Sequence, residues 1–295
     1  MIISASRRTD IPAFFSEWLL NRIKEGHVWT RNPMNHNQIR KVDLDPGAVD
    51  CIVFWSKNPQ PMLDKLGAFR DYTYYFQFTL NPYGEDIEPN LPDKKLIIET
   101  FKQLSGRTSP KKIIWRYDPV LINKKYTVQY HIEKFNSLAL ELGGYTEKVI
   151  FSFMDFYKKT SGKIKQNDIK SITDEEKKII AAGFARAAGE NKLAVYACAE
   201  GAPPHAEGGD LSLYGIAPAR CVDDRLISEI TGRDFQVKKD KNQRPECNCA
   251  VSVDVGAYNT CPNACIYCYA NYSQGTVAAN MIKHDKLSPV LIGSV

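Results

Sequence analysis

The sequence predicts an α/β fold, a TIM-like (β/α) barrel in a single domain spanning residues 1–295. Three observations carry this. Short, nearly continuous apolar runs recur along the chain, as strands of a parallel sheet covered by helices require. Each run passes through a polar stretch into a segment of helical periodicity. Six or seven such units follow one another, which favours a barrel over an open sheet.

The first unit is "IISAS" (2–6), continued by "RRTDIP" and an amphipathic segment over 13–25. Residues 27–45 read as a small insertion, a hairpin. "CIVFW" (51–55) leads through "SKNPQP" to a short helical stretch at 60–68, and "YYFQFTL" (74–80) leads through "NPYG" to a helix at 93–104. "KIIWR" (112–116) precedes a helix at 128–142, and "KVIFSFM" (148–154) precedes one at 173–191, with Thr173 as its N-cap. "LAVYACAE" (193–200) is a sixth strand. Residues 201–249 break the pattern and read as an irregular, cysteine-bearing excursion. "AVSVDVG" (250–256) is the last strand, followed by a loop at 257–271 and a helix near 270–283.

Composition narrows the function classes. Hydrophobic residues at 43% and charged residues at 25% are ordinary for a globular chain. No apolar run approaches the roughly 18 residues of a membrane span, and the N-terminus lacks the pattern of a signal peptide. A cytoplasmic protein with no membrane partner is expected. The net charge of +5 is mild; it permits an anionic substrate or nucleic acid without arguing for either. The five histidines share no spacing, which argues against a histidine metal site.

In a barrel, functional groups gather where strands end at their C-termini. Here those ends read "SRRTD", "WSKNP", "TLNP", "RYDP", "FMDFY" and "CAE", rich enough in Arg, Asp, Asn and aromatics to line a pocket. Arg7 and Arg8 can fork onto a carboxylate or phosphate. Asp10 serves equally well as a helix cap or a functional carboxylate. Lys57, Asn58, Arg116, Asp118, Asp155, Tyr157 and Glu200 are candidates for substrate contact, although pairing between Arg116 and Asp118 is the weightier reading of those two.

Seven of the eight cysteines lie after residue 197, a clustering that points to metal or cluster ligation instead of disulfides. In "TCPNACIYCYAN" (260–271), Cys261, Cys265 and Cys268 form a C-x-x-x-C-x-x-C loop. Such a loop wraps three corners of a cubane iron–sulfur cluster and leaves the fourth iron without a nearby protein thiolate. Zinc is the main inorganic rival, and metal-free reactive thiols are a third reading; zinc sites usually present cysteines in pairs, so three in one loop favour the cluster. Cys198, Cys221, Cys247 and Cys249 form a second set, sufficient for a closed cluster or a tetrahedral zinc site, with iron–sulfur favoured over zinc. Cys51 reads as core.

The C-x-x-x-C-x-Y-C loop after a β-like run resembles the signature of the radical S-adenosylmethionine (SAM) superfamily. More broadly, "ISASRRTDIPAF", "DCIVFWSKNP", "YYFQFTLNPY", "YACAE" and "CNCAVSVDVGAYNTCPNACIYCYAN" resemble an uncharacterised prokaryotic family of unknown function whose C-terminal cysteines are similar to those of radical SAM enzymes. The resemblance implies a [4Fe–4S] cluster on Cys261, Cys265 and Cys268, with SAM chelating the open iron and cleaved reductively to methionine and a 5′-deoxyadenosyl radical. It also implies cofactor contacts from Ser4, Ser6, Arg7, Arg8, Asp10 and Tyr267, although the Gly-Gly-Glu-like segment of the superfamily is missing at that place. The superfamily carries its cysteine loop after the first strand; here the loop follows the last. A circularly permuted barrel reconciles the two, with 250–256 as topological first strand, "IISAS" as second, and the two chain ends close together.

The expected function is therefore a radical SAM-like enzyme acting on an unknown small molecule, peptide or nucleotide, reduced by a donor such as flavodoxin or ferredoxin. The alternatives are an iron–sulfur electron carrier or redox sensor, and a zinc-stabilised nucleic-acid-binding protein.

Overall fold

The computed structural model describes residues 1–35, 37–156, 160–200 and 210–294. The chain opens with β1 (Ile2–Ala5), α1 (Ile11–Phe14) and α2 (Ser16–Lys24), then makes the expected hairpin from β2 (His27–Arg31) and β3 (Ile39–Asp43). β4 (Cys51–Ser56), a 3-10 helix (Gln60–Phe69), β5 (Tyr74–Thr79), α3 (Lys94–Arg107), β6 (Ile113–Val120), α4 (Val128–Leu142) and β7 (Lys148–Phe153) follow. Next come α5 (Ser161–Gln166), α6 (Asp174–Glu190), β8 (Ala194–Ala197), β9 (Ala217–Pro218), α7 (Asp224–Thr231), β10 (Val253–Asp254) and α8 (Gln274–Ile282). Thr173 caps α6 through a reciprocal pair with Glu176, as its sequence position predicts.

Among the described residues, eight strands form one wholly parallel sheet in the order β10-β1-β4-β5-β6-β7-β8-β9. The last strand in the chain therefore lies beside the first. The expected closed barrel is not what forms: β9 and β10 are the two edges of an open sheet. Each edge strand is two residues long and carries too little backbone to close the sheet by hydrogen bonding.

The two faces of the sheet are covered differently, and strand alternation decides which residue serves which. Ile3, Ile52, Phe54, Phe76, Trp115 and Phe151 pack with the helices in the main core. Their neighbours Ile2, Cys51, Val53, Tyr75, Ile114 and Ile150 face the other way. They pack against Cys221, Val222, Leu226, Ile227, Cys247 and Cys249. The stretch read as an irregular excursion thus holds a strand, a helix and the cover of one sheet face. Asp223 caps α7 by accepting from Arg225 and Leu226, and Gly232 ends it in a left-handed conformation (φ 68°). Tyr75 Oη and Gln77 Nε2 both donate to the Cys221 carbonyl, at 2.8 and 2.7 Å. Ala250 N–H donates to Val222 O at 2.9 Å and returns the excursion to β10.

The C-terminal segment packs on the first helices. Trp18 Nε1, Asn21 and Arg22 donate to the carbonyls of Ser288, Lys286 and Leu287, each at 2.9 Å. Among the described residues, no helix is long and apolar enough to cross a membrane.

Candidate metal centre

The parity that sends Ile2, Val53, Tyr75, Ile114 and Ile150 toward the excursion continues up each strand, and there the residues turn polar. Ser6, Trp55, Lys57, Thr79, Arg116, Asp118, Ser152 and Cys198 follow at even spacing from that face. All of them line one cavity of about 530 Å³ at the C-terminal ends of the strands, within the usual size of small-molecule sites. Seven cysteines line the same cavity: Cys261, Cys265 and Cys268 with Cys198, Cys221, Cys247 and Cys249. Cys51 is buried at the other end of its strand, in the core, as expected.

The three-cysteine loop joins β10 to α8 and is fixed by its own backbone. Ala264 adopts a left-handed conformation (φ 59°) between Cys261 and Cys265, and Cys268 N–H donates to Cys265 O at 3.1 Å. Ile266 N–H donates to Ile87 O at 3.0 Å, and Asn90 Nδ2 to Pro262 O at 2.7 Å, which docks the loop on the β5–α3 connection. Burial pushes the Cys261 thiol up and the Cys265 thiol up to about 12. Thiols so buried become ligands when a cation displaces their protons.

Beneath the loop lies a buried ionic cluster. Glu88, with its side chain fully buried, accepts from Lys57 Nζ (2.8 Å), from Lys94 Nζ, from Tyr267 Oη and from Asn81 Nδ2 (3.3 Å). Lys57 Nζ also donates to Tyr267 Oη at 2.6 Å. Burial opposes the Glu88 charge, but the two ammonium groups overcome it and hold the carboxyl at about 2. Burial also opposes the Lys57 charge, yet Glu88 and the nearby Cys265 raise its pKa, whereas burial prevails at Lys94 and lowers it.

The second thiol set is contiguous. Cys198 Sγ and Cys221 Sγ lie 3.5 Å apart, and Cys247 and Cys249 share their buried cluster as free thiols. Hydrogen bonds from Cys221 and Cys247 draw the Cys249 thiol down. Arg116 Nη1 donates to Cys221 Sγ at 2.7 Å, while its other terminal nitrogen pairs with Asp118, which also accepts from Ser152. The guanidinium groups of Arg7 and Arg116 lie 5.7 and 5.2 Å from the Trp55 ring. Among the described residues, no three His, Cys, Asp or Glu side chains surround a point as ligands of a single ion do. Cluster ligands need not converge in that way, since each binds a separate iron.

Asp254, which lines the cavity, is a position that sequence reading missed. It accepts from Ser4 Oγ (3.1 Å), Ser6 Oγ (2.5 Å), Arg7 N–H (2.9 Å) and Gly256 N–H (3.0 Å), and Arg8 Nε lies 3.9 Å away. Ser4 and Ser6 therefore hold β10 to β1, and Ser6 also lines the cavity. Asp10 is likewise committed: it caps α1 through Ala13 N–H (3.1 Å) and accepts Lys57 N–H (2.8 Å). Arg7 and Arg8 line the cavity, as expected, and Arg8 also faces the Tyr258 ring at 5.4 Å.

The remaining candidates divide. Asn58 receives Gln60 N–H (3.4 Å) in the turn ahead of the 3-10 helix and does not line the cavity. Asp155 lines the rim, ion-paired with Arg244. Glu200 accepts Phe153 N–H at 2.8 Å, and burial pushes its carboxyl up to about 7. Tyr157 lies outside the described residues. Lys94, Glu88 and Asp254 had no signal of their own in the sequence, whereas Asn81 falls in the strand end "TLNP". Glu88 lies in the polar loop after β5, Lys94 opens α3 and Asp254 ends the two-residue β10, where burial is not legible.

The family described as "Domain of unknown function (DUF1848)" matches residues 2–270. No curated protein and no solved structure matches the chain.

Proposed function

The chain belongs to the DUF1848 family, and we propose that it is a radical SAM-like iron–sulfur enzyme working in the cavity at the strand ends. One observation carries this reading. Cys198, Cys221, Cys247 and Cys249 are engaged with one another, and Cys51 is buried in the core, so Cys261, Cys265 and Cys268 have no fourth cysteine to share. Three soft thiolates facing a cavity fit a cubane cluster with one iron left for a small-molecule chelator. Bound there, the cluster and SAM supply one-electron reductive cleavage and hydrogen-atom abstraction from substrate.

The chain's own residues hold and shape this centre. The Glu88 cluster anchors Tyr267 between Cys265 and Cys268, and it keeps the Lys57 ammonium beside the thiols. Asp254 fixes the Arg7 backbone, so that the Arg7 and Arg8 guanidinium groups line the cavity for a carboxylate or phosphate. The adjacency of β10 and β1 supports a permuted (β/α) architecture, in which 250–256 plays the first strand and the cysteine loop regains its usual place after it. The substrate is a small molecule, peptide or nucleotide, and the electron comes from a flavodoxin- or ferredoxin-class donor.

Titrating SAM into the anaerobically reconstituted, reduced protein tests the reading by electron paramagnetic resonance. The signal of the loop cluster should change with SAM, and Cys268→Ala should abolish the responsive signal. An intact, reduced cluster whose spectrum SAM leaves unmoved would contradict it.

A further inference from the structure

Cys198 and Cys221 form a pair at the cavity wall. Cys198 N–H donates to Phe151 O at 2.8 Å just past β8, and Ala219 N–H donates to Ala197 O at 2.8 Å just past β9, so two adjacent strands deliver the thiols side by side. Their sulfurs are in contact at 3.5 Å. That is closer than thiolates on separate irons of a cubane stand, so the second cluster expected from the four cysteines does not fit this pair. Among the described residues, no three ligand-type side chains converge on a point as a structural ion requires. Two thiols in contact are, by contrast, within about 1.5 Å of the S–S bond length of a disulfide. The surroundings set the pair apart from inert core cysteines. Arg116, itself 6% exposed, donates through Nη1 to Cys221 Sγ at 2.7 Å, and both thiols line the cavity. Cys198 is partly exposed there, and Cys221 lies behind it at 3% exposed. A thiol with access to solvent and a neighbouring guanidinium reacts as a thiolate, whereas one in apolar surroundings, as Cys51 is, stays inert.

We propose that Cys198 and Cys221 are a reactive dithiol whose substrate is a small hydroperoxide entering the cavity. The Cys198 thiolate attacks one peroxide oxygen and the O–O bond breaks. Cys198 becomes a sulfenic acid, and the departing oxygen takes up the proton that Cys198 gave up. The Cys221 thiolate, held by Arg116, then attacks the Cys198 sulfur. The S–S bond forms, the S–O bond breaks, and the hydroxide leaves as water with the proton of Cys221. In sum, two thiols lose two electrons and two protons, and one hydrogen peroxide becomes two waters. An external dithiol returns the pair to thiols by exchange. The chemistry uses no loop cysteine, no iron and no SAM.

Thiol mapping of the full chain tests the assignment. The protein is reduced with dithiothreitol, freed of reductant without air, and given one equivalent of hydrogen peroxide. Tryptic peptides 193–220 and 221–225, which carry Cys198 and Cys221, should become linked with the loss of two hydrogens. Dithiothreitol should release them. The link should form faster in the folded chain than in the chain unfolded in urea. Cys221→Ser, which lacks the second thiol, should stop at a Cys198 sulfenic acid that dimedone captures. Cys261→Ala/Cys265→Ala/Cys268→Ala should form the same link, so this proposal and the SAM reading can fail independently. Three results would overturn it: both thiols left free under peroxide, a link formed no faster than in the unfolded chain, or about one bound zinc that must be removed before either thiol reacts. The wild-type map uses no substitution, so it decides even where a variant fails to fold.

Discussion

At the scale of single residues, the site rests on two carboxylates, one half-buried and one fully buried. Asp254 collects four hydrogen bonds at the seam between β10 and β1, and the seam is tight because Gly256 has no side chain. A Cβ on Gly256 would fall 2.1 Å from Ser6 Oγ. Gly256→Ala should therefore cost about 1–3 kcal/mol, as overpacking does, seen as a lower urea midpoint. Glu88 is the second. Removing its charge strands two ammonium groups, so Glu88→Gln should lower stability by about 3 kcal/mol. Its carboxyl is held at about 2 against an ordinary 4.5. A depressed carboxyl stabilises the fold fully above its unfolded pKa and loses that contribution as pH falls toward the folded one. Wild-type stability should thus decline from about pH 4.5 to 2, and Glu88→Gln should flatten that slope in pH-dependent denaturant melts.

Among elements, the strands and long helices were legible because their apolar periodicity is strong. α4 spans residues 128–142 as read, and α6 starts at its Thr173 cap. What the sequence concealed was brief or contextual. β9 is an Ala-Pro pair with no periodicity, and α7 has eight residues inside a polar, cysteine-bearing stretch. The seven cavity cysteines were readable from their spacing. Glu88, in "NPYGEDIEPN", reads as an exposed acidic turn until Lys57 and Lys94 arrive from distant segments. Packing between α4 and α6 gives a control away from the site: a Cβ on Gly183 would meet Ile132 Cγ1 at 2.8 Å. Gly183→Ala should lower the melting temperature while leaving the iron content per folded chain unchanged.

For the whole molecule, the open parallel sheet divides its labour by face. Helices cover one side, and the 219–250 segment covers the other while delivering three of the cavity's seven cysteines. Placing β10 beside β1 then brings a loop from the end of the chain to the residues that follow its first strand. The central claim is that this loop holds a cluster with an iron open to SAM. Its most direct test is anaerobic reconstitution, reduction with dithionite in the presence of SAM, and quantification of 5′-deoxyadenosine. The account predicts that the wild type forms 5′-deoxyadenosine and that Cys261→Ala/Cys265→Ala/Cys268→Ala forms none. No 5′-deoxyadenosine from a wild-type protein whose loop cluster is intact and reduced would contradict it.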